Sequence, residues 1–99
     1  MEIDVQYEKM KESEALNAYL MKKLEKLSKK YEWLIRAEVA FKKGQDKTGL
    51  DCICEITLSA PGPRIFAAST ERYFESALKE TINDLERQLK KRKAQFTAP

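Results

Sequence analysis

An α+β domain with the element order β-α-β-β-β-α is the fold class that this 99-residue sequence predicts. Three observations predict it. Two long stretches repeat apolar residues every three or four positions, the period of an amphipathic helix. Four shorter stretches alternate apolar and polar residues, as half-buried strands do. Gly44, Gly49, Pro61, Gly62 and Pro63 fall between those stretches rather than inside them. Alternating strands bury one face only, so a four-stranded sheet with both helices packed on one face is expected.

Taken in order, Ile3, Val5 and Tyr7 share one face of a first strand over residues 2–7. Ser13 is placed to cap a helix from about Glu14 to Lys30, with Glu14 in its first turn. Leu16, Leu20, Leu24, Leu27 and Tyr31 form the apolar stripe of that helix. In the second strand, Ile35, Ala37, Val39 and Phe41 alternate with Arg36, Glu38, Ala40 and Lys42. Residues 43–49 make a loop. The third strand sets Leu50, Cys52, Cys54, Ile56 and Leu58 on one face, and Ala60-Pro61-Gly62-Pro63 turns the chain. Residues 64–69 form a short fourth strand whose pattern leaves open whether Ile65 or Phe66 points inward. A long helix over residues 71–93 follows, with Phe74, Ala77, Leu78, Thr81, Ile82, Leu85 and Leu89 as its stripe. It would extend about 35 Å. The helical crossover makes the first two strands parallel if adjacent, and strands two to four an antiparallel meander.

Length and composition bound the rest. One domain is expected over residues 1–95, with a short C-terminal tail at 96–99. No apolar run reaches the length of a membrane span, and the N-terminus is polar and partly acidic, so a cytoplasmic protein is expected. Cys52 and Cys54, two apart in a strand, diverge too far for a mutual disulfide and read as small buried apolar groups. With no histidine, the commonest general base is missing, and so are metal-ligand sets and a Gly-rich phosphate loop. No enzyme, metal or cofactor is expected. Tyr73 sits at a helix edge where stacking on a base is possible, although an ordinary surface position explains it as well; Trp33 reads as a lid over the core end.

The net charge of +3 says little, but its distribution says more. Residues 21–30 hold five lysines and one acid, and residues 87–93 hold five positive charges and no acid. Complementing a helix dipole accounts for one or two cations in a last turn, and that effect fades within a turn. Lys22, Lys26 and Lys29 lie opposite the first stripe, and Arg87, Lys90 and Lys91 opposite the second. Lys23 and Lys30 flank the first stripe, where their stems can cover apolar surface. Side-by-side helices bring both clusters to one surface, which points to a polyanionic partner such as a nucleic acid.

SEALNAYLMKKLEKLSKKYEW (13–33), IFAAS (65–69) and ERQLKKRK (86–93) resemble the ribosome hibernation promoting factor and ribosome-associated inhibitor family. The resemblance spans nearly the whole chain and is most specific in KLEKL and RQLKK, about sixty residues apart. It implies a fold similar to double-stranded-RNA-binding domains. It also implies a translation inhibitor that occupies the A and P sites of the small subunit, in the channel used by messenger and transfer RNA, during stress or stationary phase. The partners implied are the small ribosomal subunit and its ribosomal RNA, with a separate ribosome-dimerising factor for a short-form member. No membrane is involved, and the free protein is expected to be a monomer. By resemblance Lys23, Lys26, Lys29, Lys30, Arg87, Lys90, Lys91 and Lys93 carry over as ribosomal-RNA-binding residues. Arg92 keeps the charge where some members carry histidine, and Lys22 adds one where an acid occurs in some. Asn17 lacks a positive charge found in others and does not carry over. A free-standing module for other structured RNA and a protein-interaction module with an acidic partner are the competing readings.

Overall fold

The computed structural model describes residues 1–45 and 47–97, the side chain of Thr97 excepted. Asp46 of the expected loop, and Ala98 and Pro99 of the expected tail, lie outside the described residues. The elements are β1 (Glu2–Glu8), α1 (Glu14–Lys30), β2 (Arg36–Lys43), β3 (Cys52–Ser59), β4 (Ile65–Glu71) and α2 (Phe74–Thr97). This is the expected α+β order. The sheet runs β1-β2-β3-β4. β1 pairs with β2 in parallel, in register Ile3↔Ala37 and Val5↔Val39. The β2–β3 and β3–β4 pairs are antiparallel.

Leu20, Leu24, Phe41, Ile56, Leu58, Leu78, Leu85 and Leu89 are fully enclosed between the helices and one sheet face. Ile3, Val5 and Tyr7 are half-buried on the same side. Thr81 is buried within the α2 stripe, and its hydroxyl donates to the Ala77 carbonyl at 2.8 Å, so no polar group is stranded there. Ser13 caps α1, its Oγ accepting from the Leu16 amide at 3.2 Å. Cys52 and Cys54 are free and buried; burial pushes the Cys54 thiol up to about 12.

Three positions differ from the expectation, and one choice left open is decided. Ile35 is 59% exposed rather than inward, because Tyr31 and Leu34 close the core at that end of the sheet. Leu50 is also exposed. The Gly44 amide donates to the Asp51 carbonyl across the loop, and the β2–β3 ladder begins only at Lys43↔Cys52, which leaves Leu50 outside it. The choice left open in β4 falls to Ile65, which is buried, while Phe66 faces out. Finally, α2 is displaced toward the C-terminus. Glu71 is held in the sheet opposite Cys52, and the helix begins at Phe74 and runs through Phe96, which was expected in a loose end. Phe96 stays helical while its ring meets Trp33 edge-on at 5.1 Å, and Trp33 meets Tyr31 at 5.7 Å.

Candidate nucleic-acid interface

The topology fixes how the two basic segments meet. β4 runs parallel to β2 and β1, since two antiparallel pairings separate it from β2. α1 returns from the end of β1 to the start of β2. α2 likewise runs back along β4, from Phe74 packed on Phe41 to Gln88, whose amide donates to the Phe66 carbonyl at 2.8 Å. The helices are therefore parallel, and their basic C-terminal halves lie at the same end of the molecule. Their offset is marked by Lys30, the last residue of α1, whose ammonium donates to Glu86 in α2 at 2.6 Å. Everything in α2 after Glu86 overhangs the end of α1, by about 16 Å at 1.5 Å per residue. The molecule measures 50 × 25 × 18 Å along its principal axes.

The two clusters are thus staggered along one axis. Lys22, Lys26 and Lys29 are exposed on α1, and Arg87, Lys90, Lys91 and Lys93 continue the positive surface along α2. Among these, Lys29 pairs with Glu25 at 3.3 Å and Arg87 with Asp84 at 3.7 Å, both contacts within one helix and largely in solvent. Such pairs hold a side chain weakly. Lys23, Lys30 and Arg92 have firmer partners. Lys23 is half-buried, with its ammonium over the Tyr19 ring at 5.4 Å. Lys30 is tied to Glu86, and that hydrogen bond raises its own pKa while lowering that of Glu86. Arg92 donates to the carbonyls of Pro61 and Pro63, each at 2.9 Å.

Glu86 and the turn carbonyls were invisible to sequence reasoning, because their partners lie 56 and some thirty residues away. Asn17, which lacks the charge to join the binding set, holds the fold together instead. Its Oδ1 accepts from the Tyr7 hydroxyl at 2.8 Å, joining β1 to α1. Tyr73 is 63% exposed, close to the α2 start and at the opposite end from both basic clusters.

The uncovered sheet face has the opposite character. Glu2, Asp4, Glu8, Glu38 and Glu55 stand there against Arg36 and Lys42, five acids to two bases. Arg36 is bound by Glu2, Asp4 and Glu38 at 3.0–3.3 Å, and Lys42 by Glu55 at 2.9 Å and Glu8 at 3.5 Å. The bases of this face are thus neutralised by its own acids, while the helical layer keeps its cations outward. Among the described residues, no group of His, Cys, Asp and Glu is arranged to hold a metal ion.

Solved structures share the fold, two of them as follows. A ribosomal subunit interface protein from Coxiella burnetii superposes with a TM-score of 0.83 at 24% identity, over 95% of this chain and 99% of that one. The N-terminal domain of Protein Y from Thermus thermophilus superposes with a TM-score of 0.77 at 22% identity, over 92% and 98% of the two chains. A search of curated protein sequences returned no match. The profile of a family described as Sigma 54 modulation protein / S30EA ribosomal protein matches residues 3–97. With nearly every described residue inside that match, the chain belongs to the sigma-54 modulation and S30EA family of ribosome-associated proteins.

Proposed function

We propose that this protein inhibits translation by binding the small ribosomal subunit in the channel used by messenger and transfer RNA, at the A and P sites, in stressed or stationary cells. The observation that carries this reading is the staggered positive surface on one layer of parallel helices, in a chain of the S30EA family. Lys22, Lys26, Lys29, Arg87, Lys90, Lys91 and Lys93 supply point charges that follow a phosphate backbone. Such contacts position a protein on RNA without reading its bases. The acidic sheet face is repelled by the same backbone, so the molecule presents its helices. Occupying the channel is sufficient for inhibition, and no bond is made or broken. Residues 1–95 act as one binding unit. The work takes place in the cytoplasm, where ribosomes are; no helix among the described residues is long and apolar enough to cross a membrane.

Lys26→Ala and Lys91→Ala, one from each helix, test the reading. Both side chains are exposed, so the variants should melt as the parent does. Each should weaken cosedimentation with small subunits and inhibition of a translation reaction, and the double variant should weaken both further. Parental binding by the double variant would remove this surface as the site. Binding lost to ribonuclease-treated lysate but retained on unrelated structured RNA would favour a general RNA-binding module instead.

A further inference from the structure

The overhanging end of α2 has no helix beside it, yet it carries half of the positive surface. What orients it is the turn between β3 and β4. Arg92 is half-buried, and its Nη1 and Nη2 donate to the carbonyls of Pro61 and Pro63, both at 2.9 Å. Those two carbonyls flank Gly62, whose φ of +94° lies in the region that favours glycine. A Cβ on Gly62 would stand 3.1 Å from Nη1, so the turn leaves room for the guanidinium at its closest point. A planar fork spans two carbonyls at once, and a lysine ammonium cannot reproduce that. One turn further along, Phe96 rests edge-on against Trp33.

We propose that Arg92 is a positioning residue: it clamps the end of α2 to the β3–β4 turn and so aims Lys90, Lys91 and Lys93, instead of serving chiefly as one more phosphate contact. The inference rests on the polyanion-binding reading above and refines it. It makes the pair Arg92–Gly62 a determinant of affinity although Gly62 carries no charge.

Trp33 is the sole tryptophan, and its shielding by Phe96 reports where the helix end lies. Arg92→Lys keeps the charge and loses the fork. Gly62→Ala keeps every charge and crowds the guanidinium. Acrylamide quenching of Trp33 and small-subunit binding are measured for both, with melting curves to confirm folding. Both variants should show easier quenching together with binding weakened by roughly tenfold, the scale of one lost interaction. A direct phosphate contact predicts near-parental binding and quenching for Arg92→Lys, and that result overturns the proposal. Weakened binding with parental quenching, or easier quenching with parental binding, overturns it too. The Lys26→Ala, Lys91→Ala double variant, run alongside, separates the two levels. If it binds as the parent does, the polyanion reading itself falls. If it loses binding while Arg92→Lys does not, only the clamp falls.

Discussion

Lys30 shows how a single residue can change its role once its neighbours are known. Its position beside the α1 stripe marks it as one of five cations in a run, but its ammonium is taken by Glu86, the acid immediately before the second basic cluster. The pair marks where the two helices meet, and with it where the overhang begins. Hydrogen bonding to Lys30 holds the Glu86 carboxyl below its ordinary value of 4.5. A carboxylate whose pKa is lowered on folding stabilises the folded state above that range, and the contribution fades as pH falls through the lowered value. The Lys30 pKa is raised, so its side of the pair persists until pH rises past the ordinary lysine range. Glu86→Gln should therefore be slightly less stable than the parent at pH 7, with the difference shrinking as pH falls below the ordinary carboxylate range. Urea titrations of both proteins across that range measure it. A difference that persists unchanged at pH 3 would mean that the ion pair is not its source.

At the scale of an element, α2 does two kinds of work along its length. Its first turns bury Ala77, Leu78, Thr81, Ile82 and Leu85 against β3 and β4. Among the described side chains of its last turns only Leu89 is enclosed, and these turns are held through Gln88, Arg92 and Phe96 to the ends of the strands and loops below. Cutting into the first part should therefore affect the whole fold. Leu85→Ala removes a fully enclosed side chain and should cost about 2–5 kcal/mol, as such truncations do. Chemical denaturation reads this directly. A parental midpoint would mean that α2 does not pack as described.

The whole molecule is electrically two-sided, with cations outward on the helical layer and a net acidic, internally paired sheet face. A net charge of +3 conceals this separation. Phosphate contacts made by lysine and arginine release counterions, so affinity for small subunits should fall steeply between about 50 and 200 mM salt. Each of Lys26→Ala and Lys91→Ala should flatten that slope by roughly one contact. Filter binding over a salt series makes the measurement, and a flat response in the parent would contradict a phosphate-dominated surface.

The features that depend on neighbours in the chain were legible without a structure. Leu16, Leu20, Leu24 and Leu27 with Ser13 ahead of them place α1, because helix period and cap are local properties. The same periodicity puts Lys22, Lys26, Lys90 and Lys91 opposite apolar stripes, and all four are exposed. Tertiary structure decided whatever depends on partners far along the chain. Glu71 would suit a helix, but the ladder opposite Cys52 holds it in β4. Phe96 has no local reason to stay ordered, but Trp33 gives its ring a surface. Alternation alone does not choose between Ile65 and Phe66, and pairing with β3 in register Leu58↔Ile65 does. Lys30 and Arg92 look like their basic neighbours in sequence. Only the approach of Glu86 and of two turn carbonyls gives them partners within the protein, because a hydrogen bond forms where the fold brings donor and acceptor within about 3 Å, whatever their separation along the chain.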